Sequence, residues 1–299
     1  MRVFYRKIVG LENVCCLLKC GGMTNFDRVY LDALGRIYRE GETVESQRTG
    51  YSTRALPGLT YELSPATGFP LLTVRKLFPK FFCAETVWFI AGHKHAGFLQ
   101  QFTKGWDSFL EEDGTVETAY GYRWRHHFGR DQLLDLVEHL REEPSSRQGV
   151  VMMWDATSDG LRAPKKKNVP CPFCFTANII GGKLNVHLVV RSNDMVLGNP
   201  NDVADFALLQ AMIAQELGVN IGKLTVSISH AHIYENQFTA VEDILSREVV
   251  QHPEVECRLP ERAFQRALEA DPQLVEELVE MFQSQYTPGA PMIKMQIAL

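Results

Sequence analysis

The segment from Cys171 to Arg191 constrains this chain more than any other. A β-prone run entering from Ala177 reaches Gly181-Gly182, and NVHLVVR (185–191) leads back out. Paired glycines supply the positive φ angles of a tight two-residue turn, so the two runs are expected to close as a hairpin. Cys171 opens the first strand of that hairpin, and Arg191-Ser192 closes the returning one, 20 residues later. Closure would return the arginine to the neighbourhood of the cysteine. A guanidinium beside a thiol favours the thiolate, which is the reactive nucleophile. A buried structural cysteine with a surface arginine is the plainer alternative.

Around this hairpin the pattern mixes helices and strands without regular βαβ alternation, which points to an α+β fold in one domain. NFDRVYLDALGRIYREG after Met23 reads as an amphipathic helix, and residues 1–22 read as an extension preceding a catalytic domain over 23–299. LPGLTYELSPATGFPLLTV (56–74) is rich in β-formers broken by Pro and Gly, suggesting paired strands. FFCAETVWFIAG is expected to be a buried helix stopped by Gly92. DQLLDLVEHLREE has helical spacing, GVVMMW (149–154) reads as a core strand, VADFALLQAMIAQEL as a long helix with a buried face, and KLTVSISHAHIY as a strand. DPQLVEELVEMF should form an acidic helix, followed by an extended apolar tail, MIKMQIAL.

Composition removes several function classes. With 299 residues and 45% hydrophobic content, the chain can bury a sizeable core. A net charge of −5 argues against bulk nucleic acid as partner but leaves room for a small anion held by clustered arginines. No run approaches the roughly 20 apolar residues of a membrane span. The basic, then apolar, N-terminus is interrupted by Glu12 and Asn13 and lacks a convincing cleavage site, so secretion is not expected. Seven cysteines without framework spacing suggest a reduced, cytoplasmic protein. Cys171-Pro-Phe-Cys174 with His230-Ala-His232 offers a rival zinc-module reading, since CxxC suits half a tetrahedral site. Its weakness is that HAH lies within an apparent strand.

The wider pattern resembles thymidylate synthase. VPCPF, GGKL, RSNDMVLGNPNDVADFALLQAMIAQELG and HAHIYENQ follow that family's order and spacing, preceded by QRTG, GFPLLTVRK, AETVWFIAG, AYGYRW and SRQG. The resemblance runs from about Met23 to the C-terminus. It implies an α+β sandwich whose six-stranded sheet packs back to back in a homodimer, with a pyrimidine nucleoside monophosphate and 5,10-methylenetetrahydrofolate as reactants. On that resemblance Cys171 would add to C6 of the base. Arg48, Arg191 and Ser192 would hold the phosphate, with Arg147 donated by a second subunit. Gln148 replaces the family's usual second arginine there. His232 and Tyr234 would bind the sugar 3′-hydroxyl. Glu85 would move protons through ordered water, and its apolar helix should raise its pKa. Tyr120 would sit near C5, Asp194 near the base and pterin, and Trp106 and Gly198 in the folate pocket.

Two positions depart from the synthase pattern. Asp202 stands where synthases carry an asparagine that reads uracil. Cytosine offers an N4 amino donor, which a carboxylate accepts, whereas the uracil O4 would face an ionised Asp202 acceptor to acceptor. A surface acid or helix cap is the plainer reading of Asp202. The same substitution marks the deoxycytidylate hydroxymethylase branch, in which water instead of folate hydride captures the exocyclic methylene. Asn168 replaces a leucine that shields that methylene in synthases, and an asparagine could hold the water. These features point to a deoxycytidylate 5-hydroxymethyltransferase. The alternatives are the CMP enzyme, or reductive methylation giving 5-methyl-dCMP or dTMP.

Overall fold

The computed structural model describes residues 25–45, 50–247 and 253–288. The N-terminal extension, Arg48 and the C-terminal apolar tail lie outside the described residues. In order, the elements are α1 (Asn25–Glu40), β1 (Glu42–Val44), β2 (Thr53–Leu63), α2 (Pro79–Ala91), α3 (Gln132–Glu142), β3 (Val150–Met152), β4 (Pro172–Ile180), β5 (Lys183–Val190), β6 (Asn193–Asp194), α4 (Gly198–Leu217), β7 (Asn220–Tyr234), α5 (Phe238–Ser246), α6 (Ala263–Leu268) and α7 (Pro272–Gln283). Before α3, one helical turn, Tyr120–Tyr122, runs into a π-helical stretch, Arg123–His127.

One mixed sheet organises the α+β fold, in the order β1-β2-β7-β5-β4-β3, with β6 pairing to β7 off this path. The path carries six strands, as expected, and β6 is a seventh. The β4–β5 hairpin closes with Ile180 opposite Lys183, and Gly181 and Gly182 adopt φ of 59° and 71°. β5 and β7 run parallel, so their connection crosses over the sheet through α4. Leu184, Val186, Leu188 and Val190 alternate with half-buried neighbours along β5, putting one face into the core. Phe175 of β4, Trp124 and Phe206 of α4 meet there as three rings within 6.0 Å of one another. The opposite face is more polar and half-exposed, with His187 Nε2 2.8 Å from Ser227 Oγ.

Burial on almost all sides explains α2. Pro79 starts it without losing a needed N–H, and Gly92 at φ 73° stops it. Two expectations change. Residues 56–74 are not paired strands: β2 pairs with β1 and β7, and GFPLLTV is a buried loop. Its donors go elsewhere, with Thr73 and Val74 N–H bonded to the Asp27 carboxylate and Phe69 N–H to the Val255 carbonyl. GVVMMW yields only a three-residue edge strand, β3, in which Val150 is exposed.

The long loop over 153–170 is anchored from beneath. Arg123, 1% exposed, pairs with Asp159 at 3.0 Å, and Lys166 reaches the same carboxylate at 2.9 Å and Glu117 at 3.3 Å. His127 Nε2 lies 2.9 Å from Asp155. No helix among the described residues is long and apolar enough to cross a membrane.

Candidate active site

The site gathers where β5 and β7 end and α4 begins, at the carboxyl end of the parallel pair. Cys171 lies one residue before β4. Its carbonyl accepts from Arg191 N–H at 2.9 Å as the hairpin closes. The Arg191 guanidinium folds back over the same loop, with Nε donating to the Pro170 carbonyl at 2.8 Å and Nη2 to Val169 at 3.0 Å. Nη2 lies 3.9 Å from Cys171 Sγ. The indole of Trp154 lies 5.5 Å from the guanidinium carbon. A fixed positive charge next to Sγ stabilises the thiolate by local electrostatics. Ser192 follows at the mouth of this turn, half-buried.

Tyr120 is buried, and its hydroxyl hydrogen-bonds to the Cys171 backbone. Burial lifts its pKa well above the usual tyrosine value, and the charges of Cys171, Asp202 and Glu85 add to the lift. The ring stacks on Phe89 at 5.0 Å and meets Trp106 edge-on at 5.7 Å. Trp106 in turn donates its indole N–H to Glu85 Oε1. Glu85, 5% exposed in the middle of α2, has its pKa raised by burial, as its apolar helix led one to expect.

Glu85 is not alone. Asp205 of α4, 4% exposed, hydrogen-bonds to it side chain to side chain and accepts from Thr86 Oγ1 at 3.0 Å. Burial first, then the Glu85 charge, pushes Asp205 well above the carboxylate range. Like charges in a dry pocket cannot both ionise, and the pair shares a proton. Asp205 went unnoticed in the sequence because an acid in VADFALL looks like a surface residue. Its offset of three from Asp202, which places both on one helix face, was the available signal.

Asp202 lies on the first turns of α4, half-buried. Burial pushes its carboxyl up to about 7, Asn193 opposes that shift by donating Nδ2 to Oδ2 at 2.8 Å, and the Glu85 and Asp194 charges reinforce it. Asp194 is structurally committed: Oδ1 accepts from Val196 N–H at 2.8 Å and Leu197 N–H at 3.0 Å, and Oδ2 from Gln237 at 2.8 Å. The β6–β7 pairing puts Asp194 opposite His232, and the His232 ring meets Tyr234 edge-on at 4.9 Å. Gly198 opens α4, where a Cβ would lie 3.4 Å from Asn193 Nδ2 and 3.7 Å from Asp202 Oδ2.

Asn168 sits at the loop end three residues before Cys171 and accepts at Oδ1 from Thr118 Oγ1, so its Nδ2 is the group able to hold a water. Arg147 is exposed on the loop before β3, apart from the other candidates. Among the described residues no group of three or more His, Cys, Asp or Glu side chains is placed to hold a metal ion, which removes the geometric basis of the Cys/His alternative. The family model described as thymidylate synthase matches residues 28–299.

Proposed function

Because this chain belongs to the thymidylate synthase family, we propose that it is a deoxycytidylate 5-hydroxymethyltransferase, with residues 23–299 as its catalytic unit. The family's reaction is folate-dependent one-carbon transfer to C5 of a pyrimidine nucleotide, with methylenetetrahydrofolate as cosubstrate. The choice of cytosine rests on one observation: the side chain offered to the base is a carboxylate that Asn193 holds as an acceptor. Such a group accepts from the N4 amino group of cytosine and rejects the O4 of uracil, at a cost of roughly 1–3 kcal/mol for an unpaired buried contact.

The residues suit a pterin. A flat heteroaromatic ring needs an aromatic wall, and Trp106, packed from behind by Trp88 and Phe89, offers one beside Glu85. When bound, methylenetetrahydrofolate supplies a one-carbon unit at the oxidation level of formaldehyde. The chain supplies the rest. Cys171 Sγ adds to C6 as Arg191 stabilises the thiolate, and the C5–C6 electron pair moves onto C5, conjugated with C4 and N3. Asp202, titrating near neutrality, shares a proton with N3 while accepting from N4. Once C5 has bonded to the one-carbon unit, Glu85, poised by Asp205 and Trp106, would remove the C5 proton through water and return it to the folate nitrogen as the bond between that nitrogen and the carbon breaks and tetrahydrofolate leaves. Water held by Asn168 Nδ2 adds to the exocyclic methylene, Glu85 accepts a proton, and expulsion of Sγ restores the ring. Arg191, Ser192 and Arg48 hold the phosphate, joined by Arg147 from a second copy in a homodimer, and His232 and Tyr234 hold the sugar.

Mass spectrometry of the products from dCMP, CMP and dUMP with methylenetetrahydrofolate tests this reading. Hydroxymethyl-dCMP without dihydrofolate is the expected outcome. A methylated product with stoichiometric dihydrofolate, or preference for dUMP, returns the chain to reductive methylation.

A further inference from the structure

The carboxylate of Asp202 is the end of a chain of buried polar groups that cytosine selection alone does not require. Tyr61 comes from β2, Asn193 from β6 and Asn199 from the start of α4, and they are 9%, 2% and 0% exposed. Asn199 Nδ2 donates to the Tyr61 hydroxyl at 2.8 Å and to Asn193 Oδ1 at 2.7 Å, and the Tyr61 hydroxyl lies 3.0 Å from Asn199 Oδ1 as donor. Both hydrogens of the Asn199 amide are therefore committed. The Asn193 oxygen is taken, which leaves that amide a single orientation, with Nδ2 aimed at Asp202 Oδ2 at 2.8 Å. An amide accepts at one end and donates at the other, so the orientations of Asn199, Asn193 and residue 202 are coupled along the chain of hydrogen bonds. Among the described residues Asp202 Oδ1 takes no protein hydrogen bond and Oδ2 takes only that of Asn193, so both oxygens keep acceptor capacity for the base edge.

We propose that Tyr61, Asn199 and Asn193 form a polarity relay that sets base specificity by deciding which hydrogen-bonding face residue 202 turns to the nucleotide. This rests on the cytidylate reading above. These are positioning residues, since they act only through residue 202. With Asn193 presenting a donor, an aspartate at 202 shows the base an acceptor. An asparagine at 202 must spend its oxygen on Asn193 and show the base its NH2, a donor suited to the O4 of uracil.

Reversing the relay should reverse that outcome. In Asn199→Asp the carboxylate still accepts from Tyr61 but cannot donate to Asn193. Asn193 then turns its NH2 to residue 199 and its oxygen to residue 202. In the double variant Asn199→Asp/Asp202→Asn, the amide at 202 donates to Asn193 and turns its own oxygen to the base, an acceptor for the N4 of cytosine. A carboxylate at 199 is tolerable physically: it opens α4, where the helix dipole favours anions, and both neighbours donate to it.

The test is kcat/KM for dCMP and dUMP with methylenetetrahydrofolate, measured on the full chain for wild type, Asp202→Asn and the double variant, with thermal unfolding of each. Asp202→Asn is expected to prefer dUMP. The double variant is expected to move the ratio back toward dCMP by on the order of tenfold or more, the equivalent of one unpaired buried polar group. A folded double variant that keeps the dUMP preference of Asp202→Asn overturns the relay alone. An Asp202→Asn variant that still prefers dCMP overturns the base reading and the relay with it. Should the double variant fail to fold, Tyr61→Phe in the Asp202→Asn background releases the Asn199 amide and should flatten the dUMP preference. An unchanged ratio there overturns the relay as well.

Discussion

Asp202→Asn should make the protein more stable, and the gain should depend on pH. Burial is the main reason that the Asp202 carboxyl moves from its ordinary 3.8 to about 7 in the folded chain. Between those values the folded protein holds a proton that the unfolded chain has released. Raising the pH across this window therefore favours unfolding, by about 1.4 kcal/mol per unit. The asparagine has nearly the same shape, accepts the Asn193 hydrogen bond through its oxygen, and does not titrate. Carboxyls distant from the site cancel in the comparison of variant with wild type. Removing the Asp202 charge also relieves Asp205, whose pKa it helps to raise, and this acts in the same direction. From pH 5 to pH 7 the stability advantage of the variant should grow by about 2 kcal/mol, because the folded carboxyl is already half ionised at pH 7, then level off toward pH 8. Urea unfolding of both proteins at each pH measures this directly, since midpoints shift with stability when the slope is unchanged. An advantage constant within about 0.5 kcal/mol across that range would refute the reasoning, because a carboxyl ionised throughout cannot generate the slope.

Cys171→Ser should abolish turnover and covalent nucleotide adduct while leaving nucleotide binding largely intact, because a hydroxyl is scarcely ionised at neutral pH. Cys174→Ser should retain substantial activity, and equal loss from both would count against the nucleophile. Mixing inactive Cys171→Ser chains with inactive Arg147→Ala chains should restore activity in some heterodimers, whereas a mixture that stays inactive after verified subunit exchange would place Arg147 in its own chain's service. Trp106→Phe removes one of the hydrogen bonds that lower the Glu85 pKa against burial. The acid limb of its kcat profile should move to higher pH, and an unmoved limb in a folded variant would remove Glu85 from the proton path.

The local patterns were legible where they were self-contained. The Gly181-Gly182 hairpin, the buried α2 with its Gly92 stop and the long α4 each follow from residues within the element, and hairpin closure sufficed to bring Arg191 to Cys171. What depended on distant partners was not legible. GFPLLTV has strand composition, yet its backbone donors are claimed by Asp27, 46 residues before Thr73. The parallel pairing of β5 with β7 joins segments separated by the whole of α4, and nothing in either strand announces it. Asn199 looks like a helix-start residue and Asp205 like a solvated acid. Their roles appear only when Tyr61 from β2 and Glu85 from α2 are brought against them.

The anchorage of the loop over 153–170 makes order at Cys171 a cooperative property. Arg123 and Asp159 are both almost wholly buried, and Lys166 and Asp155 join them in one ion cluster, so the loop cannot lift away without breaking several buried charge contacts together. The segment therefore cannot fray like an ordinary surface connection. Leu161 at its tip stands entirely in solvent, but the amides nearest Asp159 and Lys166 should exchange with deuterium only as slowly as the helical core beneath them. Residues added or lost at that tip should leave Cys171 in place, because the buried ion cluster lies between the two.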